Sequence, residues 1–164
     1  MTAWWIAAND NDPEHGWHWD QFFHHPADPK QNFNWGGPGW IRSTVSFARI
    51  ERIRTGDAVI AYQAGQGVIG FARLASDGWV SPDSGNFDTF DLAPSPVIRL
   101  QNPIPYEVIR DLPGSPDDFE FVRFHQGSVF SISPAGEARL LSLAAQFNPT
   151  QASRLQEFDQ SQAA

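Results

Sequence analysis

Residues 32–44 read NFNWGGPGWIRST and set Trp35 and Trp40, two large flat apolar rings, in a run of glycines with one proline. Either a loop closes both rings over the core, or at least one ring stays open to stack on a flat ligand. Such stacking is worth about 1–3 kcal/mol per nucleobase. Arg42 follows Trp40, and Arg49, Arg52 and Arg54 come next. These cations either meet an anion or form an ordinary charged helix face. A third aromatic, Trp79, sits in the turn-rich stretch SDGWVSPDSGNFD (76–88). His15, His18, His24 and His25, with Asp20, occupy HGWHWDQFFHH, and histidine with carboxylate suits zinc. The run has no pair of histidines at i, i+4 and no matching second cluster, so solvated or packing histidines are the simpler reading and no metal is expected. His125 stands alone. Nucleophile elbow, phosphate loop and zinc-deaminase signatures are all missing, and the acids of DLPGSPDDFE read as a solvated loop. No catalytic residue and no cofactor is expected.

These side chains need a frame. The chain has 164 residues, 41% of them apolar, enough for one domain with one packed core. It has no cysteine, which removes disulfides, thiolate metal sites and thiol catalysis. No stretch approaches the ~18 apolar residues of a membrane span, and the first residues lack a basic leader. A cytoplasmic protein is the expectation. The net charge of −8 argues against a broad electrostatic grip on nucleic acid. Residues 1–54 carry five basic against six acidic side chains, net −1; residues 55–164 carry six against thirteen, net −7. An anionic ligand should therefore meet the N-terminal third.

AWWIAA (3–8) reads as a buried strand ended by the turn signal NDNDP. Residues 14–38 are rich in Trp, His, Phe, Asn, Gly and Pro without a period, as in a long ordered binding loop. Ser43 and Thr44 can cap a helix over 44–54, with Gly56 beyond its end. AVIAY (58–62) and VIGFARLA (68–75) make a hairpin across QAGQG. Strands are expected at 95–101, 119–124 (FEFVRF) and 128–133 (SVFSIS), with a short helix at 105–112. Ser133 should cap a last helix bearing Leu140, Leu141, Leu143 and Ala144. Residues 148–164 are polar and Gln-rich and read as a tail with a frayed end. Few helices among short strands predict an α+β fold, a curved sheet or small open barrel flanked by helices.

In this order the pieces WWIAAN (4–9), Trp40, RTGDAVIAY (54–62), GFARL (70–74) and FVRFHQGSVFSISPAGEARLL resemble the EVE domain and its relative the YTH domain, of the PUA-like superfamily. The resemblance covers roughly residues 3–145, within a domain of 1–147 whose 14–38 excursion has no counterpart. It implies a pseudo-barrel that takes a modified base of DNA or RNA, from a single strand or flipped from a duplex, into an aromatic pocket. Trp40 matches the cage Trp before the helix. Trp79 lies where YTH domains keep a second cage aromatic. Asn9 matches the polar residue that reads a base edge at the end of the first strand, with Asp10 as a further acceptor. Arg42 and Ser43 stand for the Arg-Asn pair of bacterial EVE sequences, Ser43 being a departure. Phosphate contacts would come from Arg42, Arg49 and Arg52, beside a helix N-terminus whose N–H groups favour an anion. The expected function is a non-enzymatic reader of a modified base. The alternatives are a metal-assisted nucleotide hydrolase built on residues 15–25, or a protein-interaction domain.

Overall fold

The computed structural model describes residues 1–11, 17–27, 50–78, 90–123 and 129–161. Their strands are β1 (Ala3–Ala8), β2 (Ala58–Gln63), β3 (Gly67–Arg73), β4 (Ile98–Ile104) and β5 (Val129–Ile132), forming one open mixed sheet in the order β4-β3-β2-β1-β5. β1 and β2 are parallel, with Trp5 opposite Ile60, and the other pairings are antiparallel. The helices are α1 (Asp20–Phe23), α2 (Tyr106–Arg110), α3 (Ser115–Asp118), α4 (Glu120–Arg123), α5 (Pro134–Phe147) and α6 (Ala152–Gln160), with a 3-10 turn at Pro149–Gln151. The fold class is the expected α+β.

Both faces of the sheet are buried, which is why AWWIAA and VIGFA read as continuous apolar runs. On one face Ala3, Trp5, Ala58, Ile60, Phe71 and Phe130 meet α5 and α6 through Leu140, Ala144, Leu155 and Phe158. On the other, Trp4, Ile6, Val59, Ala61 and Ile69 meet Trp19, Phe22, Phe23, Ile50 and Ile53. Trp4 and Trp5 thus both pack, on opposite faces. The excursion expected to be only a loop supplies α1, whose Trp19 and Phe22 are fully buried. A register shift between Val68 and Gly70 accompanies the close approach of Phe23, whose ring occupies the place a Gly70 side chain would take. Gly78 is equally tight: a Cβ there would collide with the Ile50 carbonyl, so the chain entering the Trp79 stretch lies against residues 50–53.

Several expectations shift. The helix foreseen over 44–54 is described only from Ile50 and gives way to turns at Glu51. Asp57 explains its end: the Asp57 carboxylate accepts the Arg54 N–H at 2.9 Å, while the Arg54 guanidinium caps the carbonyls of Glu51 and Ile53 at 2.8 and 2.9 Å. The strand expected at 95–101 lies three residues on, at Ile98–Ile104. It includes Pro103 because it is an edge strand, where a missing N–H costs no ladder bond. Residues 119–123 of FEFVRF do not form a strand, and Phe124 lies outside the described residues. Phe119 makes one bridge to Ile132, α4 then turns, and Glu120 Oε1 accepts the Ser131 N–H at 2.9 Å. The spacing of Phe119 and Phe121 thus comes from a bridge followed by a helical turn, with both rings buried.

The segment expected as a polar tail folds from Pro149 to Gln160, into a 3-10 turn and α6. Leu155 and Phe158 of α6 are buried, and Arg73 donates to the Phe158 carbonyl at 2.6 Å. Its polar residues pair the free edge of β4: Asn148 Oδ1 accepts the Asn102 N–H at 2.6 Å, Asn148 Nδ2 donates to the Asn102 carbonyl, and Gln151 takes the Gln101 N–H and donates to the Arg99 carbonyl. Side-chain amides here do the work of a sixth strand and cover an edge that would otherwise invite association. As expected, Ser133 Oγ accepts the Gly136 N–H at 2.9 Å to start α5.

Candidate nucleic-acid interface

β1 and β2 are parallel and end side by side, Ala8 opposite Gln63. Beyond this carboxyl end lie Asn9 and Asp10, both exposed. Asn9 Oδ1 accepts the Asn11 N–H at 2.9 Å, a local turn that fixes the amide, and the Asn9 carbonyl accepts the Trp17 N–H at 2.9 Å. Trp17, half-buried, packs edge-on against Trp19 with ring centres 4.5 Å apart.

Gln63 sits one strand over, fully buried on the face that also holds Val59 and Ala61. Its Oε1 accepts the Trp19 N–H at 2.9 Å, and its Nε2 has no hydrogen-bond partner among the described residues. A buried donor left so costs about 1–3 kcal/mol. Next along the chain, the Asp20 N–H donates to His18 Nδ1 at 3.0 Å, which puts the neutral ring's proton on Nε2, 2.9 Å from the Gln66 amide. Arg99 grips both oxygens of Asp20 at 2.6 and 3.2 Å. That charged hydrogen bond, opposed by burial and aided by the positive charge of Arg99, holds the Asp20 carboxyl below its usual range. Asp20 is therefore committed to Arg99, and His18 to a backbone N–H. Among the described residues no group of three or more His, Asp or Glu is placed to hold a metal; His15 lies outside them.

Of the expected site residues, the structure describes Asn9, Asp10 and Arg52. Trp40, Trp79, Arg42, Ser43 and Arg49 lie outside the described residues. Asn9 and Asp10 do stand at the sheet's end. Arg52 is exposed, with its guanidinium 5.5 Å from the centre of the buried Trp4 ring. Four of the seven tryptophans are described, and three belong to the core. Trp4 Nε1 donates to Asp57 and Trp19 Nε1 to the Ile6 carbonyl. Trp5 is sandwiched between Phe121 and Tyr62, ring centres 3.7 and 4.7 Å away. Sequence reading missed Gln63. The signal was one amide closing the apolar run AVIAY at a position whose neighbours at i−2 and i−4, Ala61 and Val59, face inward.

No family model matches the chain, and no curated protein matches it. Solved structures do. A protein from Agrobacterium tumefaciens aligns with a TM-score of 0.69 at 13% identity, over 88% of this chain and 93% of its own. Human THYN1, in complex with DNA containing 5-methylcytosine, aligns at 0.65 with 12% identity, over 88% of this chain and 98% of its own. This chain has the fold of these structures, an α+β fold with an open mixed sheet. A protein from Rhodopseudomonas palustris aligns at 0.62 with 17% identity, over 92% and 94%. The alignments take in nearly the full length of each of these chains.

Proposed function

We propose that this chain is a non-enzymatic module that binds DNA by taking one modified base into a pocket at the carboxyl end of β1 and β2. The observation that carries this is the likeness, over almost the whole chain, to human THYN1 held on 5-methylcytosine DNA. The polar strand ends support it, since Asn9 is exposed there and anchored by its own turn. Trp4, Trp5 and Trp19 are occupied in the core; the stacking faces are assigned, on the resemblance to EVE and YTH domains, to Trp40 and Trp79, with Asn9 and Asp10 reading the edge and Ser43 as a further contact. Arg42, Arg49 and Arg52 meet the flanking phosphates. Extruding a base costs a few kcal/mol. Two stacked rings at about 1–3 kcal/mol each return that. A methyl group adds only about 0.8 kcal/mol, roughly a fourfold preference, unless the cavity is shaped to it.

The test is titration of a labelled oligonucleotide carrying 5-methylcytosine with the wild type, Trp40→Ala and Trp79→Ala, each checked for folding by circular dichroism. The reading expects each folded variant to lose about tenfold or more in affinity. Folded variants that bind as the wild type does would remove the aromatic cage.

A further inference from the structure

We propose that Gln63 is the hydrogen-bond donor with which the site grips a neutral acceptor on the bound base, such as a pyrimidine ring carbonyl. This rests on the base-binding reading and names a specificity residue for it. The Gln63 amide cannot turn to relieve its orphan. Its oxygen is held by the Trp19 N–H at 2.9 Å, so the nitrogen is fixed as the other end, fully buried and without a partner among the described residues. Across the ladder it is flanked by Ala8 and Gly67, so neither adjacent strand brings a large side chain alongside it. It lies one strand from Asn9, at the same end of the sheet and on the face that Trp19 covers.

A donor buried without a partner is retained where something else supplies the acceptor. That acceptor is neutral. A neutral amide alone does not offset the burial of a phosphate charge. A base carbonyl or unprotonated ring nitrogen fits; an exocyclic amine, itself a donor, does not. A site that depends on one buried hydrogen bond discriminates well, because the wrong partner leaves the donor orphaned again.

The experiment follows the side-chain amide resonance of Gln63 in nitrogen-15-labelled protein during titration with a 5-methylcytosine oligonucleotide, alongside affinities of Gln63→Glu and Gln63→Met. Gln63→Glu keeps an acceptor for Trp19 and replaces the two amide N–H donors with at most one carboxyl O–H; Gln63→Met loses acceptor and donors alike. The inference expects the Gln63 resonance to move on binding and both variants to weaken binding about tenfold with the fold retained. Wild-type binding with an unmoved resonance, or folded variants of unchanged affinity, overturns the inference and leaves the reader standing. If the variants do not fold, the resonance in the wild type decides. A wild type that binds no oligonucleotide overturns the base-binding reading and this inference together.

Discussion

At the scale of single residues, the described polar groups divide into those that hold the fold and those left for a ligand. Asp57 belongs to the first kind. Nearly buried, it accepts the Trp4 indole N–H at 2.9 Å and the backbone N–H groups of Thr2 and Arg54 at 3.1 and 2.9 Å, tying the start of β1 to the start of β2. Asp57→Ala strands three donors, and urea denaturation should show a loss of about 3 kcal/mol or more. Asp20 and Arg99 are a second such pair. The Asp20 carboxyl is lowered in the folded protein, chiefly by its hydrogen bond to Arg99, from an ordinary value of 3.8. The folded state thus binds this proton more weakly than the unfolded chain. The pair's contribution is complete above about pH 4 and is lost as pH falls through the lowered value. Melts of wild type and Asp20→Asn should show a stability gap above about pH 4 that closes as pH falls through the lowered value. The position of Asn9 just beyond β1 was legible from the sequence because strand ends announce themselves through NDND. Gln63 was not, because a buried amide and a surface one look alike until the covering Trp19 is in place.

Element by element, reading succeeded where local chemistry decides and failed where a distant partner does. Ser133 followed by Pro134 sets its own cap, and the helix begins there. FEFVRF has the alternation of a strand, yet its backbone bonds are taken by its own turns while Glu120 seals the edge of β5. Residues 148–160 looked like a solvated tail because Asn148 and Gln151 are polar; their partners are backbone groups of β4, about 50 residues away. Ending the chain after Asn148 removes Leu155 and Phe158, each worth about 1.5–3 kcal/mol on burial. It also removes the Phe158 carbonyl that Arg73 grips. Thermal melts should place the truncated protein roughly 10–20 °C below the full chain, with self-association through the uncovered β4 edge visible by light scattering. A truncated chain that melts with the full one would mean that α6 adds nothing to the core.

Taken whole, the molecule is an acidic body, net −8, and the proposed function places the ligand at its least negative third. On that proposal, nucleic acid is held through one base and few phosphates. With two or three arginine contacts, the slope of log affinity against log salt should be on the order of −2 to −3, well short of a general DNA binder. The fold was legible in outline because aromatic strands, the Gly-Asp turn and the closing helix follow one another in the EVE/PUA-like order. Selectivity among bases was not legible, since it depends on the shape around one ring and on which buried donors await a partner. The central claim is that this chain distinguishes a modified base. It is tested most directly by equilibrium binding of the unaltered protein to matched short duplexes and single strands carrying cytosine, 5-methylcytosine, adenine or N6-methyladenine at one position. The account predicts that one modified oligonucleotide binds at least about fourfold more tightly than its unmodified twin; equal affinity for every member of the set, or binding to none, would contradict it.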